Sequence, residues 1–125
     1  MLADHNSSAI LAVADLARAQ AFYGDVLGLE LVEGGVEEGV LTWRTGATRL
    51  VVYQSDYAGT NRANAAVWGV GEDIEAIVAA LEAKGAVFEH YPEIGRLEGN
   101  IHHAGGAKLV WLKDPDGNIL HFHSM

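Results

Sequence analysis

The sequence predicts an α+β fold of two tandem βαβββ modules, which form a cup-shaped mixed sheet with the helices on its outer face. A strand-like run followed by an amphipathic helix occurs twice. Val13 and Gly28 are 15 positions apart, as are Val70 and Gly85. Three more strand-like runs follow each helix. We therefore expect a single domain over residues 1–125, with module one at about 8–56, a linker at about 57–64 and module two at about 65–125.

Module one is predicted to begin with a short strand and continue into a helix. Asp15 is expected to cap this helix, because its carboxylate can accept from the free amides of the first turn. Gly28 is expected to end it, since a left-handed conformation costs glycine little. The apolar stripe of the helix consists of Leu16, Ala19, Tyr23, Val26 and Leu27. The predicted strands are Ala9–Val13, Leu29–Glu33, Val40–Arg44 and Arg49–Gln54.

Module two repeats this pattern. Its helix is predicted to begin near Asp73 and to end at Gly85, with an apolar stripe of Ile74, Ile77, Val78 and Leu81. The predicted strands are Ala66–Val70, Ala86–Tyr91, Lys108–Leu112 and Ile119–His123. The glycine-rich segment from Gly95 to Gly106 is expected to be a long loop that can close over the sheet.

Composition removes several classes of function. Seventeen acidic residues against eight Lys and Arg give a formal charge of −9, which disfavours partners such as nucleic acid and anionic membrane surfaces. The absence of cysteine excludes a disulfide scaffold, a thiolate zinc site and a cysteine nucleophile. No apolar run is long enough for a bilayer, and the first residues do not resemble a signal peptide. We therefore expect a soluble cytoplasmic protein.

Three stretches carry a resemblance to a known family. They are Val13-Ala14-Asp15-Leu16 with Ala21-Phe22-Tyr23 and Val26-Leu27-Gly28-Leu29, the helix end Lys84-Gly85, and Leu112-Lys113-Asp114-Pro115-Asp116-Gly117-Asn118-Ile119. Together they span almost the whole chain, which resembles the vicinal oxygen chelate superfamily. That superfamily includes glyoxalase I, bleomycin-resistance proteins and extradiol dioxygenases. The resemblance implies the fold described above and, by itself, no particular function.

The resemblance also implies a divalent metal, held by His, Glu or Gln on the first and last strands of each module. The matching positions are Ser8 in the first strand, Val51, Val52 or Tyr53 in the last strand of module one, Asn64 or Ala65 in module two, and His121 in the last strand. Only His121 is a good ligand, so we predict no metal and no other cofactor. A non-standard site built from His121, His123, His102 and His103 remains the alternative.

The leading hypothesis is a metal-independent small-molecule-binding protein, similar to the bleomycin-resistance branch, which holds a flat or aromatic organic ligand in the sheet cup. Its acidic surface favours a cationic ligand, although Arg49, Arg96 and Lys108 are candidates to bind an anionic group. The alternatives are a lyase, isomerase or dioxygenase that uses a non-standard metal or a histidine as general acid or base, or a module without a dedicated ligand. A homodimer is expected. The ligand-binding candidates are Ser8, Trp43, Tyr53, Val67, His102, Trp111 and His121, with His121 the catalytic candidate if there is a reaction.

Overall fold

The strands of the chain form two separate sheets, one in each half of the sequence. The computed structural model describes all residues from Met1 to Met125 and divides into two compact units, Met1–Asn61 and Arg62–Met125. We call them unit one and unit two. No helix in the chain has the length and apolar character needed to cross a membrane.

Unit one has the predicted βαβββ order. Its sheet runs β1-β4-β3-β2, with β1 parallel to β4 and the other pairs antiparallel. The predicted helix continues past α1 as a π-helical segment, Phe22–Val26, so the hydrogen-bonding pattern changes within it. The elements are β1 (Ala9–Val13), α1 (Leu16–Ala21), β2 (Glu30–Gly35), β3 (Val40–Thr45) and β4 (Thr48–Gln54).

The helix ends of unit one follow the sequence signals. The Asp15 carboxylate accepts a hydrogen bond from the Arg18 amide at 3.1 Å, so Asp15 is the N-cap as predicted. Gly28 adopts a φ of 72°, the left-handed conformation expected after the helix. The helical segment contributes four buried side chains to the core of unit one: Leu16, Ala19, Phe22 and Tyr23. The sheet contributes Leu11, Val13, Leu41, Trp43, Leu50 and Val52.

Unit two contains the same βαβββ order with an additional hairpin. Its sheet runs β5-β10-β9-β8-β7, and β6 pairs with β9. β5 is parallel to β10, as β1 is to β4 in unit one. The elements are β5 (Asn64–Gly69), α2 (Ile74–Ala83), β6 (Val87–Glu89), β7 (Arg96–Glu98), β8 (Ile101–Ala104), β9 (Ala107–Lys113) and β10 (Ile119–His123).

The segment from Gly95 to Gly106 is not a loop, so that prediction is wrong. It forms the antiparallel pair β7 and β8, and β8 continues the sheet by pairing with β9. Its glycines occupy the turns: Gly99, Gly105 and Gly106 all have positive φ. The strands are only three and four residues long, too short to show an alternating apolar pattern in the sequence.

The turn between β9 and β10 sets the register of the strands that carry the site. The buried Asp114 carboxylate accepts hydrogen bonds from the amides of Asp116 at 2.9 Å and Asn118 at 2.8 Å, and from Asn118 Nδ2 at 2.8 Å. Gly117 supplies the positive φ of 86° that the turn requires. As a result, His121 of β10 lies directly opposite Trp111 of β9.

Candidate functional site

Three predicted binding residues are neighbours on one side of the unit-two sheet. His121 pairs with Val67 of β5 on one side and with Trp111 of β9 on the other. Direct partners on adjacent strands project to the same face, so the three side chains share it. We call this side of the sheet the His121 face. Val67 is 61 % exposed, whereas Trp111 is buried at 6 % exposure, so the open apolar part of the face lies around Val67.

Aromatic rings surround Trp111 on this face. The His121 ring stacks on Trp111 with centroids 4.5 Å apart and planes 15° from parallel. Tyr91 and His102 contact the indole edge-on, at 5.2 Å and 4.9 Å. The His123 ring lies 5.8 Å from that of His121, as expected for residues two apart on a strand. The packing holds the imidazole of His121 in a defined plane beside a rigid indole.

The His121 ring is oriented by the backbone. Its Nδ1 lies 3.0 Å from the Val110 carbonyl oxygen, which can only accept, so Nδ1 is the donor. Burial lowers the pKa of His121, and the neighbouring His123 lowers it further, while the hydrogen bond to Val110 acts in the opposite direction. The imidazole is therefore held in its neutral form near pH 7, with Nε2 as the unprotonated nitrogen.

His102 is fully buried, and both of its ring nitrogens are occupied. Nε2 accepts a hydrogen bond from the Tyr91 amide at 2.8 Å, and Nδ1 donates to the Leu109 carbonyl oxygen at 3.2 Å. Neither nitrogen is free to bind a metal or transfer a proton. His102 lies on β8 rather than in a mobile loop, and its observed role is to fix Tyr91 and Trp111 in place.

His123 differs from both neighbours in its hydrogen bonding. Its Nδ1 is buried and has no hydrogen-bond partner. The ring lies against Gly69 of β5, where an added Cβ would be 3.0 Å from His123 Cε1. Glycine at this position therefore makes room for the imidazole.

The remaining predicted binding residues lie in unit one. Tyr53 of β4 is 36 % exposed and pairs with Ala12 of β1, while Ser8 is exposed just before β1. Trp43 was predicted to bind ligand, but the structure buries its side chain. Trp43 pairs with the buried Leu50 and contacts the ring of Tyr23 in the π-helical segment that follows α1.

The environment of Trp43 is the interior of unit one, where it is 2 % exposed. Its Nε1 is buried without an acceptor. The indole borders an open groove of about 520 Å³, shared with Gly24 and Leu31. This groove lies on the helix side, so Trp43 does not belong with Tyr53 on one face of the sheet.

The cations that were candidates for anion binding have acidic or backbone partners. Arg96 forms an ion pair with Glu98 at 2.8 Å, and Lys108 pairs with Glu75. On the His121 face itself, Lys113 pairs with Glu89 at 2.8 Å. The predicted Arg49 donates to the Thr48 carbonyl oxygen at 3.2 Å. Arg96, Lys108 and Lys113 are thus paired with carboxylates, and Arg49 donates to a backbone carbonyl.

Tyr91 was not among the sequence candidates, although it contacts Trp111 and its amide holds His102. It stands at the end of the predicted strand Ala86–Tyr91, two positions after Glu89, which pairs with Trp111. Side chains alternate between the two faces along a strand, so Tyr91 could have been placed on the same face as Glu89. The predicted strand was not assigned to a face, and Tyr91 was therefore missed.

The chain consists of two βαβββ units, one in each half of the sequence. This places it in the class of proteins that are built from this repeated module. The family model described as Glyoxalase/Bleomycin resistance protein/Dioxygenase superfamily matches residues 4–122, and the chain belongs to this superfamily. The resemblance seen in the sequence is confirmed. No curated protein sequence gives a significant match to the chain.

Solved structures of similar fold come from proteins with different activities. Lactoylglutathione lyase from Agrobacterium tumefaciens matches with a TM-score of 0.72 and 20 % identity, covering 95 % of this chain and 92 % of that one. The fosfomycin resistance protein FosX from Mesorhizobium loti matches at 0.70 and 13 %, covering 98 % and 92 %. The bleomycin-binding protein from Streptomyces verticillus, in complex with copper(II)-bleomycin, matches at 0.69 and 19 %, covering 94 % and 93 %. These matches support the α+β fold.

The donor set does not fit the metal that the superfamily often uses. No group of three or more His, Cys, Asp or Glu side chains is arranged to hold a metal ion. Among the positions that match the family ligands, Ser8 and Ala65 bring no imidazole or carboxylate, and His121 offers one nitrogen. One imidazole does not bind a divalent ion tightly against water.

Proposed function

We propose that this protein is a metal-independent small-molecule-binding member of the superfamily, which takes a flat or aromatic organic ligand on the His121 face. The observation that supports the proposal is the stacked pair of Trp111 and His121 beside the exposed Val67. The exposed Val67 offers apolar contact to a flat molecule, while the buried Trp111 holds the His121 ring in place. His121 Nε2 is the polar atom that can orient the ligand. The unsuitable donor set for a metal supports binding without one.

The test measures binding of neutral and cationic aromatic compounds to tag-free protein, with and without a chelator. We expect affinities that the chelator leaves unchanged. The Val67→Glu variant should reduce the affinity for the neutral compounds, because a carboxylate on the apolar surface must be desolvated by the ligand. Val36→Glu is the matched control, since Val36 is also an exposed valine but lies in unit one. Binding that requires added Zn, Mn, Ni or Fe, or a stoichiometric metal found by elemental analysis, would refute the proposal.

A second candidate is an enzyme of the lyase, isomerase or dioxygenase type in which His121 acts as general base. The lowered pKa of His121 and its oriented ring favour this, because a neutral imidazole can accept a proton at pH 7. Such an enzyme would turn over its substrate in the presence of chelators and lose activity in His121→Ala. Activity that survives this substitution would contradict it.

We also propose a cytoplasmic homodimer. Twofold dimers are the commonest assembly of soluble proteins, which supports the proposal. Light scattering of the purified protein tests it, with a mass of twice 13.3 kDa expected and a mass of 13.3 kDa contradicting it.

A further inference from the structure

The hydrogen bonding of His121 limits what a ligand can bring to it. The Val110 carbonyl accepts from Nδ1 at 3.0 Å, so the single proton of the neutral ring is already used. Nε2 is left with a lone pair. The ring therefore presents an acceptor, and only an acceptor, to a molecule on the His121 face.

No side chain of the protein donates to this nitrogen. The side chain of His121 makes one hydrogen bond, the one to the Val110 carbonyl. The cation on the same face, Lys113, is paired with Glu89 at 2.8 Å. The stacked Trp111 ring presents its plane to the imidazole, 15° from parallel, and occupies one side of it. A donor to Nε2 must therefore come from a ligand or from water.

His121 is partly buried, and a ligand that covers Nε2 withdraws this nitrogen from solvent. A hydroxyl restores the lost hydrogen bond, whereas an ether or a carboxylate places a second acceptor beside Nε2 and leaves both unpaired. A carboxylate is also repelled by the formal charge of −9. Among flat aromatic molecules, a phenol is a strong hydrogen-bond donor that stays neutral at pH 7, because its pKa is about 10.

We propose that the His121 face selects flat aromatic ligands that donate a hydrogen bond, phenols above all, through His121 Nε2. This inference rests on the proposed function, since it names the ligand class for the same surface. It goes beyond it by assigning one atom as the determinant of specificity.

The test compares three ligands that share a ring system. Equilibrium dialysis measures the affinity of the tag-free full chain for 2-naphthol, 2-methoxynaphthalene and 2-naphthoate at pH 7.5. Because the ring system is the same in all three, the differences in affinity report the effect of the hydroxyl donor. We expect 2-naphthol to bind about tenfold more tightly than the methyl ether, the usual effect of one unpaired buried acceptor. The naphthoate is expected to bind weakest.

The His121→Phe variant then assigns the preference to the residue. Phenylalanine keeps a flat ring against Trp111 and removes the acceptor, so naphthol and its methyl ether should bind equally. His103→Phe is the control, because His103 is also a half-buried histidine but pairs with Lys108, on the other side of β8 and β9. Circular dichroism verifies that both variants are folded.

The outcomes separate the inference from the proposed function. Equal binding of naphthol and methoxynaphthalene to the wild-type chain overturns the donor preference and leaves the aromatic site standing. A preference that persists in His121→Phe overturns the assignment to Nε2. If none of the three compounds binds, both the inference and the proposed function are wrong.

Discussion

Replacing His102 by phenylalanine separates the hydrogen bonds of a fully buried histidine from its packing. The ring contacts with Trp111 and Tyr91 remain possible, because phenylalanine is flat and of similar size. The Tyr91 amide, however, loses the acceptor that lies 2.8 Å away, and the Leu109 carbonyl loses a donor at 3.2 Å. The change thus removes two polar contacts and little else.

The expected cost follows from these two contacts. An amide left without a partner costs about 1–3 kcal/mol, and an ordinary hydrogen bond contributes about 1 kcal/mol. The sum is a loss of about 2–4 kcal/mol in the free energy of unfolding. A small domain has about 5–15 kcal/mol in total, so His102→Phe should still fold.

Urea denaturation followed by tryptophan fluorescence measures this loss. A lower midpoint with an unchanged slope indicates a change in stability alone. The control is His103→Phe, the next residue on β8, whose Nε2 lies 3.6 Å from the carboxylate of the exposed Glu98. We expect that variant to change stability by about 0.5 kcal/mol or less. A loss below about 1 kcal/mol in His102→Phe would refute the reasoning.

Three further predictions concern the caps, the β9–β10 turn and pH. Asp15→Ala should lower stability by about 1 kcal/mol in thermal unfolding, whereas Asp73→Ala should be nearly neutral, because only Asp15 makes a side-chain cap hydrogen bond; equal losses would contradict this. Asp114→Ala should cost about 2–4 kcal/mol by urea denaturation, since its carboxylate holds the turn through charge-assisted hydrogen bonds, and a loss no larger than that of Asp73→Ala would count against this. Folding lowers the pKa of His121 from its ordinary value of 6.5, so below pH 6.5 the unfolded chain binds more protons at this residue than the folded chain does. The free energy of unfolding is therefore unaffected by His121 above pH 6.5 and decreases as the pH falls from 6.5 towards the folded pKa. His121→Phe should lose this component, and an unchanged pH dependence would show that His121 does not cause it.

Local signals were sufficient for most of the fold. The strands Ala9–Val13 and Ile119–His123 were predicted with the observed bounds, and the Asp15 cap was predicted correctly. These features depend on residues close together in the chain, which sequence patterns report well. That residues 1–125 form a single domain stays a prediction.

The errors have a common physical cause. The hairpin of β7 and β8 exists because β9 offers it an edge to pair with, and its short strands carry no pattern of their own. Trp43 faces α1 because the register of β3 against β4 places it beside Leu50. Both features depend on strand pairing, which the composition of a short segment does not specify.

The sequence by itself determined the repeated βαβββ order and the superfamily, because these follow from residue types at fixed spacings. The tertiary structure decided the chemistry of the histidines. His121 and His102 each bond to backbone groups 11 residues away, at Val110 and Tyr91, and strand pairing brings those groups within 3.0 Å. The contact with Val110 leaves Nε2 of His121 open, whereas Tyr91 and Leu109 together occupy both ring nitrogens of His102. The hydrogen-bond partner of each ring determines which nitrogen carries the proton, and the pairing of the strands determines which backbone group is that partner.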